Sequence, residues 1–447
     1  APDFLVRGPD LRAVRFPKAI VLAVYALAVA GPFILIMLAR PASGRPFIAE
    51  FGSALGISAL GLLALQLVLP ARLAILSSLG ADVAVRLHRR LADVVIAAVA
   101  AHVAAVMVAD PGRLGLLGFF GAPWRAQAAI GSVAALATLG ATSFIRRRLR
   151  LSYAVWRGIH LGLGAMALLL GIVHTIGVGR YLANGPQLGA LLALGVGGLG
   201  ATIVMRGPWL RRGTVRPYRI ERVVPERGGA VTLELVADGH WGQRFAAGQF
   251  AWLRLPGLLS TLSEHPFSYS SSALVPDRPS FTIKKFAGFT ARAAELEAGT
   301  RLLVDGPHGA FRLKRQTRGV VLVAGGIGIT PSMSVLRTAA QARDRRHYIL
   351  IYSSKSLDSI TFRDELETLE AGLDLEIVHV LSSPPPEWPG ERGRINAAVL
   401  DRHLPADLSR WQFLVCGSGP FVDAAVGSIV DVGVPGERVH AERFVEV

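Results

Sequence analysis

Cysteine is almost missing from this 447-residue chain, with Cys416 standing alone. That excludes an intrachain disulfide, a zinc cage of cysteines and a conventional iron–sulfur cluster. Charge is also scarce. Only 18% of residues are charged, where soluble enzymes run nearer roughly a quarter. Apolar residues make up 51% and mean hydropathy is +0.44, which excludes a disordered chain. Acids are outnumbered by bases, 32 to 48, leaving a net charge of +16 and a pI of about 10.9. There is no internal repeat, low-complexity tract or calcium loop. The first residue is Ala1 and no cleavable signal peptide follows, so the start is expected to be processed or trimmed. At 47.5 kDa the chain has room for two or three domains.

The apolar excess sits in residues 1 to 206. Six stretches there, 19–39, 52–70, 87–109, 126–145, 158–178 and 188–205, each approach the ~20 apolar residues that span a ~30 Å hydrocarbon layer. Glycines at 162, 164, 171, 195, 197, 198 and 200 suit close helix packing in lipid. Basic residues cluster on alternate sides. One side has Arg7, Arg12, Arg15 and Lys18, then Arg72, Arg86, Arg89 and Arg90, then Arg146, Arg147, Arg148, Arg150 and Arg157, then Arg206, Arg211, Arg212 and Arg216. The other has Arg40 and Arg45, Arg113 and Arg125, and Arg180. This positive-inside pattern puts both termini in the cytoplasm. It also accounts for the basic balance as a topology signal. Nucleic-acid binding is not expected, because no base-stacking aromatics are interleaved with the basic runs.

Four histidines fall in the expected spans: His88 and His102 on the third, His160 and His174 on the fifth. Both pairs are fourteen residues apart, about 40° short of four full helical turns and a rise of ~21 Å. Each pair therefore shares a helix face, with one member near each membrane surface. Side by side, the two helices oppose His88 to His160 near the cytoplasm and His102 to His174 near the outside. Neutral imidazoles on both sides of an iron make an axial haem site. The alternatives are polar interhelical histidines and a zinc site, although no carboxylate or cysteine is near to complete a tetrahedron. Asp93, the one acid deep in the third span, reads as the partner of Arg89 or Arg90. Val95, Ile96, Met166 and Leu168 occupy the zone between the two histidine levels, so aliphatic packing is expected there.

From about 214 the pattern changes. Short alternating runs such as 230–236 and 250–255 predict an antiparallel barrel. From 317 the order is strand, glycine turn, helix, strand: 319–324, 331–343 and 348–353, with further strands at 375–381 and 411–416. That predicts an α/β domain with a parallel sheet. The barrel carries His265-Pro266-Phe267-Ser268, then Lys284 and Thr290 around Phe286-Ala287-Gly288, then Gly306-Pro307-His308-Gly309. A lysine and a threonine hydroxyl near backbone amides suit a pyrophosphate. Gly325-Gly326-Ile327-Gly328-Ile329-Thr330-Pro331 follows a strand and opens a helix, where glycines let backbone amides approach a phosphate. Cys416-Gly417-Ser418-Gly419-Pro420 ends a strand.

In this combination the chain resembles the NADPH oxidase and ferric reductase family, bacterial type, from about residue 15 to 447. The fold class implied is multidomain: an all-α six-helix transmembrane bundle (1–206), an antiparallel β-barrel for FAD (207–314) and an α/β Rossmann-like domain for NADPH (315–447). The resemblance implies that His88, His102, His160 and His174 ligate the irons of two haem b groups. It implies that His265 approaches the flavin pyrophosphate, that Phe267 packs on the flavin, and that Ser268 lies near its N5, with Pro266 a further cofactor-binding residue of the motif. Lys284 and Thr290 match the second flavin-phosphate motif, with Ala287 where the family has glycine. Gly325, Gly326, Gly328, Thr330 and Pro331 match the nicotinamide-dinucleotide loop. Cys416, Gly417 and Pro420 match the segment beside the nicotinamide, and Phe444 in Glu442-x-Phe444 matches an aromatic that covers the flavin. His308 stands where an aromatic is more usual.

The implied activity is that of a plasma (inner) membrane oxidoreductase with its FAD and NADPH domains cytoplasmic. A nicotinamide gives two electrons as a hydride, a haem takes one, and a flavin does both. Ser353, Ser354 and Lys355 after the second strand favour NADPH, with NADH as the alternative. The acceptor is left open. Short external loops favour dioxygen, giving superoxide, with Arg180 lending positive charge. A ferric or cupric chelate and a periplasmic partner protein are the alternatives. The expected partners are thus the lipid bilayer and a small-molecule acceptor, with no obligate protein partner.

Overall fold

The computed structural model describes residues 46–68, 81–146, 148, 149, 151, 153–179, 189, 195, 200, 215–257, 264–286, 289–314 and 317–444. It contains two compact units, one within 13–211 and one within 212–447.

In the first unit four helices follow one another: α1 (Phe47–Val68), α2 (Ala81–Ala109), α3 (Trp124–Ile145) and α4 (Tyr153–Val178). Among the described residues, all four are long and apolar enough to cross a membrane. They correspond to the second to fifth expected spans. The expected spans at 19–39 and 188–205 lie outside the described residues, apart from Gly189, Gly195 and Gly200. Phe51, Val94, Phe144, Leu169 and Ile176 are exposed, as suits helices solvated by lipid. Leu63, Leu67, Val95, Leu136, Leu168 and Ile172 form the interior.

Two expectations need correction here. Of the four aliphatic residues between the histidine levels, Val95 and Leu168 are buried, but Ile96 and Met166 are 47% and 44% exposed. At 100° per residue, Ile96 cannot share a face with Val95, nor Met166 with Leu168. Asp93 makes no ion pair with Arg89 or Arg90; all three side chains are exposed. A same-helix pair contributes only ~0.2–0.5 kcal/mol, too little to hold three mobile side chains.

The second unit begins with a barrel: β1 (Val215–Glu226), β2 (Ala230–Ala237), β3 (Phe250–Arg254), β4 (His265–Ser268), β5 (Ser280–Lys284), the short α5 (Phe289–Ala293) and β6 (Arg301–His308). The strands are ordered β4-β3-β6-β1-β2-β5, and every pairing is antiparallel. A bridge between Tyr269 and Phe281 joins the two edges, so the barrel is nearly closed. Ile220, Leu233, Leu235, Phe281, Leu302 and Val304 fill it.

The chain continues through β7 (Gly319–Gly325), α6 (Ile329–Gln341), β8 (His347–Ser354), α7 (Arg363–Gly372), β9 (Leu375–Leu381), β10 (Glu391–Arg392), α8 (Ala397–His403), β11 (Trp411–Ser418), α9 (Gly419–Asp431) and β12 (Val439–Phe444). The sheet is parallel, in the order β10-β9-β8-β7-β11-β12. Its central strand reads as an unbroken apolar run because both its faces are covered. Val320, Leu322 and Ala324 enter one core, and Val321 and Val323 the other. From β7 the chain winds one way to β8 and later the other way to β11. That reversal opens a crevice at the C-terminal ends of these two strands.

One helix ties the barrel to the α/β domain. The α6 residue Ser334 donates to the Ser271 carbonyl at 2.8 Å, and the amide of Ala273 donates to Thr338 Oγ1 at 2.9 Å. Arg337 donates to the Ser270 carbonyl at 2.7 Å and grips Glu365 through two nitrogens at 2.6 and 2.7 Å. Its guanidinium lies 5.0 Å from the centre of the Phe362 ring. Arg337→Ala leaves the Ser270 carbonyl and Glu365 without these donors. We expect a loss of about 1.5–3 kcal/mol, read as an earlier denaturant midpoint for the reductase half of the full chain. An unchanged midpoint contradicts this role.

Candidate functional site

Within the membrane unit the histidines meet in the expected pairs. The rings of His88 and His160 have centroids 6.1 Å apart, and those of His102 and His174 are 6.4 Å apart. Two metal–imidazole bonds of about 2 Å each set ring centres roughly 6 Å apart, so the spacing fits one iron between each pair.

Hydrogen bonds orient the rings for that task. His102 Nδ1 lies 2.7 Å from the Gly52 carbonyl of α1. His174 Nδ1 lies 2.8 Å from the Arg125 carbonyl of α3. A carbonyl only accepts, so both Nδ1 atoms carry the proton and both Nε2 atoms keep a free lone pair. His160 Nδ1 lies 3.2 Å from Ser143 Oγ. Among the described residues, no group of three or more His, Cys, Asp or Glu converges as a metal site. Each pair thus offers two imidazole donors facing one another.

Residue types gave no hint of the Gly52 and Arg125 carbonyls, because backbone acceptors have no sequence signature. The notch that admits His102 did have one. A Cβ on Gly56 would lie 2.8 Å from His102 Nδ1, and one on Gly52 would lie 2.8 Å from Ala105 Cβ. Gly52 and Gly56 are a small-xxx-small pair on α1.

In the barrel, Phe250 is the register partner of Ser268 on one side and of His308 on the other. Ser268 is only 3% exposed, and its hydroxyl has no hydrogen-bond partner. A buried hydroxyl left unpaired fits a polar atom of a flavin edge. Phe267 and His265 both lie against Phe289, a residue the motifs did not single out. His265 stacks on it at 4.7 Å and 18°, and Phe267 is 5.8 Å from it. Pro266 lies between them on β4, in register with Trp252. Lys284 ends β5, its ammonium 6.0 Å from the Phe286 ring centre, and Thr290 Oγ1 accepts from the Phe286 amide at 3.2 Å. Ala287 and Gly288 lie outside the described residues, as does Arg180.

Ser268→Ala deletes a hydroxyl that the fold itself does not pair. Stability without flavin should hold or rise by up to about 1 kcal/mol, while flavin reduction slows about tenfold, the value of one hydrogen bond. Stopped-flow bleaching of flavin absorbance reads the rate. Equal losses of stability and rate would instead assign Ser268 to packing.

At the crevice, Gly325 ends β7 and Gly326 takes φ +54 with no atom within 4 Å of a Cβ built there. That leaves open space beside backbone amides, the form of a phosphate cradle. Gly328 is pressed against the backbone of Cys416 and Gly417, which brings the two loops together. Thr330 donates to the Ile327 carbonyl at 3.1 Å, and Pro331 is buried inside α6. Lys355 is exposed one residue past β8, whose Ser353 pairs with Gly325.

Cys416 is fully buried, and both that burial and the Glu442 carboxylate push its thiol well up. It stays neutral at physiological pH and acts as a wall, not as a nucleophile. Glu442 reaches back towards Gly309 of the barrel, and Phe444 pairs with Ser418 and packs on the core beneath the crevice.

Residues 55–172 match the family described as ferric reductase like transmembrane component, and residues 322–427 match the oxidoreductase NAD-binding domain. Among curated proteins, the chain is 32% identical over 243 residues to the ferredoxin reductase component of 3-ketosteroid-9-alpha-monooxygenase from Mycolicibacterium smegmatis, covering 52% of this chain and 65% of that protein. It is 29% identical over 236 residues to the reductase component of propane 2-monooxygenase from Rhodococcus jostii, covering 51% and 62%. The chain thus spans less than two thirds of the length of either relative. Among solved structures, flavohemoglobin from Malassezia yamatoensis aligns with a TM-score of 0.51 at 17% identity, over 90% of this chain and 100% of that one, a likeness of fold alone.

Fold and matches together define a membrane oxidoreductase built for electron transfer. The chain joins a ferric reductase-like transmembrane domain to an oxidoreductase NAD-binding domain, consistent with the ferric reductase and NADPH oxidase-like family.

Proposed function

We propose that this chain carries electrons across the plasma (inner) membrane. NADPH and FAD are bound on the cytoplasmic side, two b-type haems lie within the helices, and the acceptor is beyond the far face. The observation that carries this reading is the pair of opposed histidines at two depths, 6.1 and 6.4 Å between ring centres. Hydride from a nicotinamide, one-electron exchange at iron, and a flavin able to do both are the chemistry that the three cofactors supply.

The chain's own residues bind and orient. His88, His160, His102 and His174 present imidazole nitrogens on fixed ring planes. Ser268 offers its unpaired hydroxyl to the flavin, and Phe267 and Phe289 give it an apolar wall. The glycine loop at 325–328 offers amides to a pyrophosphate. Cys416 and Gly417 line the nicotinamide side, and Phe444 occupies the flavin face until nicotinamide displaces it. Arg180 is assigned to the far side as a positive charge near the acceptor. The domain limits 1–206, 207–314 and 315–447 follow the same division of labour, and both termini are cytoplasmic.

Lys355 and the serines before it favour the 2′-phosphate of NADPH. Catalytic efficiency should be at least about tenfold higher with NADPH than with NADH, and Lys355→Glu should erase that ratio. Comparable efficiency with both cofactors in the unmodified chain contradicts the preference.

Dioxygen, giving superoxide, is the acceptor we favour over a ferric or cupric chelate or a partner protein. The test is NADPH-driven reduction of cytochrome c in air by the purified, FAD-supplemented chain, with and without superoxide dismutase. Reduction abolished by the dismutase supports oxygen. Dismutase-insensitive reduction, or activity only with a ferric chelate, overturns it.

A further inference from the structure

The inward face of α4 carries more than a histidine. Tyr153, Trp156, Arg157 and His160 fall within about 100° of one another around the helix. Trp156 contacts the His160 ring at 5.0 Å, and Tyr153 lies 5.7 Å from Trp156. Arg146, just past the end of α3, sets its guanidinium over both aromatic rings, at 5.4 Å from Tyr153 and 5.1 Å from Trp156.

Two donors in this cluster are closed off from solvent and bonded to nothing: Trp156 Nε1 and Arg157 Nη1. Leaving a buried donor unpaired is costly, and more so when it is charged. Folded proteins rarely retain two such donors on one helical turn without an acceptor. Their positions limit what that acceptor can be. Both nitrogens are donors, Arg157 is itself cationic and the Arg146 guanidinium lies over the Trp156 ring, so the acceptor that fits is an anion. They sit three and four residues before His160, within ~6 Å of rise along the helix. The anion therefore lies at the edge of whatever the His88–His160 pair holds. Haem b carries two carboxylates on one edge of its ring, and a guanidinium–carboxylate bond is among the stronger hydrogen bonds available to a protein.

We propose that Trp156 and Arg157, backed by Arg146, bind a carboxylate of the haem held between His88 and His160. This rests on the bis-haem reading above and adds an anchoring subsite to it. Neither residue ligates iron; both position the ring and set the charge beside it.

The test uses the full chain in detergent, in a His102→Ala background where the inner haem is the one retained. Release of haem to apomyoglobin and its reduction potential are measured, neither of which depends on turnover. Trp156→Phe combined with Arg157→Gln should release haem about tenfold faster, the usual size for losing an outer partner of a metal group, and should lower its potential. Arg157→Lys should restore most of both. As a second measurement, the parent is reconstituted with haem dimethyl ester, whose carboxylates are blocked. The ester should leave about tenfold faster than haem from the parent and at the same rate as haem from the double variant.

Equal release of haem and ester from the parent would assign the two donors to another anion, such as a lipid phosphate, and overturn the proposal. Unchanged release and potential in the double variant would overturn it too. Absence of haem from the unmodified chain would instead refute the bis-haem reading on which it rests.

Discussion

Replacing either His102 or His174 with alanine should reduce the haem content of the purified chain from two to one. Delivery of electrons to any acceptor beyond the membrane should then fall by more than about a hundredfold, while NADPH still bleaches the flavin at its normal rate. The size follows from the geometry. On the proposed reading one iron would sit between two rings 6.4 Å apart, so loss of either ring would remove half of the protein's hold on it. Replacing only an outer hydrogen-bonding partner of a metal ligand already costs about 10–100-fold. The effects should also be non-additive, with the double variant no worse than either single one, because both residues serve one iron. His88→Ala or His160→Ala should stop transfer one stage earlier, with flavin reduction again intact. Pyridine haemochrome titration and stopped-flow absorbance measure the two quantities. A loss of flavin reduction in the His102 or His174 variants would contradict the scheme.

Gly328→Ala should be nearly as damaging, at the opposite end of the chemistry. A methyl there would press on the Cys416 carbonyl and lie 2.8 Å from Gly417 Cα. Both are backbone atoms of a central strand and cannot swing aside as a side chain would. Overpacking of this kind costs about 1–3 kcal/mol, and relief of the clash must part the two loops that flank the crevice. The KM for NADPH should rise at least about tenfold, with haem content unchanged. Gly326→Ala is the internal comparison. Nothing lies within 4 Å of a Cβ at that position, so the fold bears only the left-handed backbone penalty of about 1–2 kcal/mol. Steady-state kinetics with thermal unfolding separates the two variants. Equal effects at both positions would mean that backbone conformation, not loop contact, matters here.

Much of this architecture was legible from local pattern. The helices of the membrane unit announced themselves by length and apolarity. The buried strand at Gly319–Gly325 did so by its continuous aliphatic run, and the turn after it by three glycines. The histidine pairs were legible because helical geometry turns a spacing of fourteen into a shared face. What stayed hidden depends on distant partners. The barrel order β4-β3-β6-β1-β2-β5 is fixed by pairings between strands far apart in sequence, which alternation alone does not specify. Phe289 gave no motif signal, yet it lies against both His265 and Phe267. Position in the chain sets the depth of Ile96 and Met166 but not the helix face they occupy, and both are exposed. Gly52 and Gly56 carry a recognisable spacing, but the close approach of His102 that makes it matter is a tertiary fact.

The hydrogen bonds that orient the histidines follow one rule of connectivity. His102 on α2 is set by Gly52 on α1, while His160 and His174 on α4 are set by Ser143 and Arg125, the first on α3 and the second at its start. Gln66 on α1 likewise bonds the backbone of His88 on α2 at 2.8 Å. Three of the four rings, and the backbone of the fourth histidine, are thus held within their own helical hairpin. On the proposed bis-haem reading each iron would take one ligand from each hairpin, so haem capture would be the clasp that closes them.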